Sequence, residues 1–303
     1  EGKVTHAELI LPLPGETKES FIKGLNSILN TNTSCICIYT LMMLHGTKFK
    51  DPKYRKQFGY KIKFRIVPLD FGEYEGQKIF EYEEVGVETK DLSFDDYLFL
   101  RSLSLLVESL YNGKLFNEFF KYASLFGIQP GTMIKILYEN ISTAPKNIQK
   151  IMNDFIAETK NELWDSEEDL LNYYKKDENY LKLKKGEVGG NLIYKYKSKN
   201  IFEAVSDWID FFEKQILETI KQKQQNIASI QLIKSEISEI SNFCRLKING
   251  LLNTNADTKP IDSNFQFDIL KWIDEGYKKR VCEYKNSFEK KKLYFQLTSD
   301  QIK

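Results

Sequence analysis

The 303-residue chain is expected to be α/β at its start and mostly α thereafter. Three observations predict this. The first fifty residues run strand, helix, strand. Two stretches rich in Val, Ile, Phe and Tyr follow. Beyond about residue 90, nearly every apolar run has helical spacing.

Ala7 to Leu13 (AELILPL) is a short apolar run ended by Pro14-Gly15, a buried strand closed by a turn. In Thr17 to Leu29, Phe21, Ile22, Leu25, Ile28 and Leu29 make one apolar helix face, and Thr17 or Glu16 can serve its N-terminus. Asn30-Thr31-Asn32-Thr33 breaks that helix. Cys35 to Leu44 is apolar on both faces, as in an interior parallel strand, so the opening reads as a βαβ unit. Lys61–Pro68 and Ile79–Thr89 are β-like, with 70–77 (DFGEYEGQ) as the loop between them.

After Lys90, Ser93 followed by Asp96 resembles a capping box opening a helix over Phe94–Tyr111. Further helices are expected at Leu115–Phe126, Gly131–Asn140, Lys146–Leu163 and Ser166–Lys175. Two more are expected at Ile201–Lys223 and Gln231–Asn249, and one over Phe265–Lys278. Gly186–Asn191 is the sharpest break, Asn253–Asn264 a polar loop, and Lys291–Leu297 a closing strand. Trp164, Trp208 and Trp272 fall in helical patterns as core anchors.

Lys and Arg (44) nearly balance Asp and Glu (43), which gives no support to a large nucleic-acid footprint. Mean hydropathy is −0.43, and no run reaches the length of a membrane helix. Four cysteines in so long a chain argue against a disulfide scaffold and fit a reducing compartment, the cytoplasm. Glu1-Gly2-Lys3-Val4 has neither an initiator Met nor a signal-peptide core and enters a strand almost at once, as expected of a chain cut within a domain.

The turn in Leu11-Pro12-Leu13-Pro14-Gly15-Glu16-Thr17 resembles the strand-to-helix PGET turn found late in radical S-adenosylmethionine (radical SAM) barrels. The next strand ends in Leu44-His45-Gly46-Thr47, where that family often has L-P-G-T. The segments YRKQFGYKIKFR, NELWDSEEDL and GEVGGNLIYKY are similar to the C-terminal region of cobalamin-binding-type radical SAM proteins. The resemblance implies that residues 1–90 are the last strands of a (β/α) barrel and 91–303 a largely helical, family-specific domain. It implies S-adenosylmethionine and a [4Fe–4S] cluster in the intact protein, leaves cobalamin open, and leaves the substrate unknown. Leu11, Leu13, Gly15, Tyr39 and Leu41 would then line the adenine side of the cofactor site. Pro14 and Gly15 also have a physical reading, since strand ends in parallel α/β folds carry ligand loops and Gly lets backbone turn or approach closely. The apolar members of the set read first as strand core.

Radical SAM chemistry needs three thiolates, usually C-x₃-C-x₂-C. No such triplet occurs, so the cluster ligands would lie upstream of Glu1. Cys35 and Cys37 lie on one strand face and read as strand residues rather than a zinc site. Only His6 and His45 are present, which gives a Ser-His-Asp or Cys-His mechanism little support. His45 reads as a turn residue. Asp95-Asp96 and Glu167-Glu168 sit at helix starts, where acids complement the dipole, and Glu83-Glu84 reads as solvated surface. Gly186–Asn191 matches neither a Walker A loop nor G-x-G-x-x-G. No catalytic residue is assigned. The competing reading is a non-catalytic helical interaction module with a small α/β cap. A Rossmann-type methyltransferase has less support, for want of a Gly-rich strand-to-helix loop.

Overall fold

The computed structural model describes residues 4–223, 227–252, 261–285 and 291–293. It opens with β1 (His6–Leu11), α1 (Lys18–Leu29) and β2 (Cys35–Thr40), and β1 and β2 pair in parallel with His6 opposite Cys35 and Leu11 opposite Thr40. Thr17 caps α1: its hydroxyl accepts from the Ser20 amide, and Ser20 Oγ accepts from the Thr17 amide. This reciprocal pairing satisfies two N–H groups that a helix start leaves free. Phe21, Leu25 and Leu29 are the buried face of α1.

A short helix, α2 (Pro52–Phe58), leads into a long hairpin of β3 (Lys61–Tyr74) and β4 (Gln77–Glu88). The stretch 70–77, expected as a loop, is mostly strand. Phe71 to Tyr74 pair with Phe80 to Gln77, leaving Glu75-Gly76 as the turn, and the register shifts between Ile66 and Phe71. The Gly, Asp and Tyr content suggests a loop, but that shift absorbs the irregular residues and lets pairing resume.

The rest is mostly helical, as expected. Helix α3 (Phe94–Leu106) runs on into a π-turn over Val107–Tyr111, and α4 (Asn117–Ser124), α5 (Pro130–Glu139), α6 (Lys146–Asn161) and α7 (Glu167–Lys175) follow. The Ser93–Asp96 and Ser166–Asp169 caps form as the spacing predicts. Like α2, two further helices were not anticipated: α8 (Asp177–Lys184) and α9 (Leu192–Phe202). Both are rich in Lys, Tyr and Asn, so their apolar stripes are thin. Asn191 caps α9 by accepting from the Tyr194 amide at 3.2 Å. Helices α10 (Val205–Lys223) and α11 (Ile227–Leu252) then pair along their length.

The helix expected over Phe265–Lys278 shrinks to α12 (Ile269–Asp274), because Gly276 and Tyr277 take positive φ behind it. Residues 261–263, placed in a polar loop by sequence, form β5 (Ile261–Ser263) against β6 (Lys291–Leu293). Residues 253–260 of that loop and 294–297 of the expected closing strand lie outside the described residues.

The described strands form three two-stranded sheets, with no closed barrel among them. A single antiparallel bridge, Met42 to Val85, links the chain just past β2 to β4. One continuous apolar cluster includes Leu11, Phe21 and Ile36 with Tyr97, Leu103, Phe119, Trp208 and Trp272. The opening βαβ unit therefore shares its core with the helices. A second, smaller cluster joins Ile66 and Phe80 of the hairpin to Leu170, Tyr174, Tyr180 and Leu183 of α7 and α8. Trp164 packs at its margin, outside any helix, where its backbone bridges Phe64.

Candidate functional site

A cavity of about 210 Å³ runs along the free edge of β2. Its position follows from the parallel ladder. The Cys35 amide donates to Thr5 O at 3.1 Å and the Leu41 amide to Leu11 O at 2.7 Å, so the odd-numbered residues of β2 face β1. By alternation, the amides and carbonyls of Ile36, Ile38 and Thr40 face the opposite edge. Asn112 occupies that edge at Ile36: Oδ1 accepts from the Ile36 amide and Nδ2 donates to the Ile36 carbonyl, both at 3.0 Å. The edge at Ile38 and Thr40 opens on the cavity.

The opposite walls carry charge. From the hairpin come Arg65 and Glu83, and from the end of α6 comes Glu162. Arg65 pairs with Glu83 through Nε and with Glu162 at 3.0 Å. Burial alone would depress the Arg65 pKa, but the carboxylates of Glu162 and Glu83 hold it above its usual value. From α3 come Arg101 and Ser104, three residues apart and so on one helix stripe, and from the π-turn after it comes Glu108. Glu108 accepts from Lys197 and from Asn112 Nδ2, both at 2.7 Å. Thr40 Oγ1 lies 3.0 Å from the Tyr97 hydroxyl, one turn before Arg101. The N-terminus of α9, at Gly190–Tyr194, closes the cavity.

Of the five residues expected to hold a cofactor, Tyr39 lines this cavity and is half exposed. Its phenol is pushed up to about 12, chiefly by its hydrogen bond to Cys37. Leu11 and Leu41 are buried at 0% and 5% exposure and serve the ladder and core. Leu13 and Gly15 belong to the turn after β1, where Leu13 O accepts from the Glu16 amide at 3.1 Å. Gly15 has φ +76° with open space around it, so Gly suits the turn by its backbone freedom. The structure thus brings Tyr39 to the cavity and leaves the other four away from its lining.

Sequence reasoning missed Arg65, Glu83, Arg101, Glu108 and Glu162 as a group. One signal was available: Arg101 interrupts the otherwise apolar LFLRSLSLL run, and a charge at a core-facing helix position asks for a reason.

Cys37 also lines the cavity, with its sulfur 3.9 Å from that of Cys35. Burial, first, and the neighbouring Cys37 push the Cys35 thiol up to about 11, which disfavours the thiolate. Cys244 lies beside Glu118, and Cys282 is held by Glu236. Among the described residues no group of three or more His, Cys, Asp or Glu side chains could hold a metal ion. The four cysteines of this chain therefore do not fit a [4Fe–4S] cluster. His6 and His45 are exposed and lie outside the cavity lining. Among the described residues no helix is long and apolar enough to cross a membrane.

The cavity can hold a small polar ligand through strand-edge donors and acceptors, the two aromatic rings of Tyr39 and Tyr194, and charges of both signs. No nucleophile within it is paired with a base. No protein-family model matches the chain, and no curated protein matches it.

Proposed function

We propose that this chain forms the cofactor-facing wall and the helical substrate-side domain of a radical SAM-type enzyme, with S-adenosylmethionine bound along the free edge of β2. The observation that carries this reading is the pair of turns at the carboxyl ends of two adjacent parallel strands. Gly15 (φ +76°) follows β1, and Gly46 (φ +81°) follows β2, beside the strand that borders the charged cavity. Ligands of parallel α/β folds sit at such strand ends. On this reading β1 and β2 are late strands of a (β/α) barrel, and its other strands and the cluster thiolates are supplied from outside these 303 residues. The similarity of the downstream segments extends the proposal to cobalamin-binding members of the family.

The chain's own residues would bind and orient. Tyr39 offers a ring face for a base to stack on. Ile38 and Thr40 offer backbone donors and acceptors to a base edge. Glu83 and Glu162 bring negative charge toward a sulfonium. A [4Fe–4S] cluster held by thiolates other than this chain's four cysteines would supply the electron that cleaves the cofactor. A charged cavity at a strand edge also favours a small ligand over the protein partner that a helical interaction module would require.

Calorimetric titration of the protein with S-adenosylmethionine tests the reading. The expected result is saturable binding that Tyr39→Ala weakens by roughly 1–3 kcal/mol, the usual worth of a base–aromatic stack. No binding, or equal binding by wild type and Tyr39→Ala, would remove its support.

A further inference from the structure

Among the described residues, Arg101 is a buried guanidinium without an anionic partner. It is 6% exposed, lines the cavity, and takes part in no ion pair or hydrogen bond among the described residues. Its Nε is buried and unpartnered. Its one polar-type contact is with the Phe155 ring, 5.9 Å from the centroid. The other cations near it are already engaged. Arg65 is held by Glu83 and Glu162, and Lys197 by Glu108. A buried charge left this way is costly unless something else completes it.

A second observation points the same way. Helix α9 runs beside α3 and the π-turn that follows it, with Asn200 donating to Ser109 Oγ at 3.0 Å and Lys197 reaching Glu108 at 2.7 Å, both in that turn. The cavity lining includes Arg101 and Ser104 of α3 together with the start of α9. That start lines the same cavity, and Asn191 caps only the Tyr194 amide. The first amides of α9 have no helical acceptor, and the dipole there favours negative charge. Guanidinium and helix start thus converge on one cavity.

We infer that this cavity binds a carboxylate, gripped by Arg101 and the N-terminal amides of α9, and that the ligand carrying it has an apolar body lying against Ile38, Ile193 and Tyr39. The planar fork of an arginine would suit a carboxylate or a phosphate. The charge of the lining favours the carboxylate. Glu83, Glu108 and Glu162 line the same space and would repel a dianion more strongly than a monoanion. The inference deepens the proposed cofactor cavity but rests on Arg101 and α9 rather than on the strand-end turns. Arg101 acts here as a binding residue for the carboxylate of whichever ligand the cavity takes.

The test uses the full chain, labelled with ¹⁵N in arginine, titrated separately with butyrate, benzoate, inorganic phosphate and S-adenosylmethionine. The Arg101 Nε–H signal is assigned by its loss in Arg101→Gln. The expected result is a saturable shift of that signal with butyrate and benzoate, at concentrations at least tenfold below those needed for phosphate. Arg101→Lys should retain part of the affinity, and Arg101→Gln should lose at least tenfold. Failure of that signal to shift at saturating carboxylate overturns the inference, and so does tighter binding of phosphate. Both can be read in wild-type protein even if Arg101→Gln does not fold. Saturation with S-adenosylmethionine that leaves Arg101 unmoved, and no carboxylate effect, defeats this inference and spares the cofactor reading. Carboxylate binding at Arg101 without S-adenosylmethionine binding supports it and defeats the cofactor reading.

Discussion

Asn112 takes the place of a neighbouring strand at Ile36, accepting from its amide and donating to its carbonyl, both at 3.0 Å. Asn112 is 4% exposed, and the same amide group also donates to Glu108. One side chain thus ends the free edge of β2 where the cavity begins and fixes a cavity carboxylate.

Replacing Asn112 with Ala leaves two buried backbone groups of Ile36 without partners. The expected loss is about 1–3 kcal/mol of unfolding free energy. Urea denaturation measures it as a lower midpoint at unchanged slope. An unchanged midpoint would mean that water or another side chain already serves Ile36.

Glu84 should shape the acid limb of stability. Burial raises its pKa, but hydrogen bonds from Arg55 and Lys50 outweigh that and hold it below the usual 4.5. The unfolded chain therefore takes up a proton at this site before the folded one does as pH falls. The contribution is complete above about pH 4.5 and is lost as pH drops through the lower, folded value. Melting temperatures measured from pH 7 downward should fall less steeply below pH 4.5 for Glu84→Gln than for wild type. Parallel curves would contradict this assignment.

Cysteine reactivity should be low and ordered by site. Burial, then Glu118, pushes the Cys244 thiol well above its usual range, and its side chain has no exposure. Burial and the Glu236 hydrogen bond push Cys282 up to about 11. At pH 8 only about one Cys282 in a thousand is then thiolate, and alkylation should rise roughly tenfold per pH unit toward that value. Site-resolved mass spectrometry of iodoacetamide labelling checks both. Cys244 should react only when the protein unfolds, and a Cys282 rate that is flat above pH 9 would contradict the account.

The sequence made the opening βαβ unit legible because Phe21, Leu25 and Leu29 repeat at helical spacing between two apolar runs. Ser93–Asp96 and Ser166–Asp169 marked two helix starts, since capping is a local effect written in adjacent residues. The hairpin beyond Ile66 was hidden, because the register shift that lets Phe71 pair with Phe80 depends on the partner strand. The start of α9 was half visible: Gly186–Asn191 showed the break but not the thin helix after it. The cavity was the least legible feature. Tyr39 could be placed on a strand, but Arg65, Glu162 and Arg101 meet only through packing of the hairpin, α6 and α3.

On the proposed reading, the free edge of β2 and the start of α9 form one ligand cavity that takes S-adenosylmethionine. Hydrogen–deuterium exchange of the full chain, with and without saturating S-adenosylmethionine, tests it most directly. Slower exchange is expected in the peptides covering 36–41 and 190–194 when the cofactor is bound. Saturable binding that protects other segments and leaves both of these unchanged would contradict it.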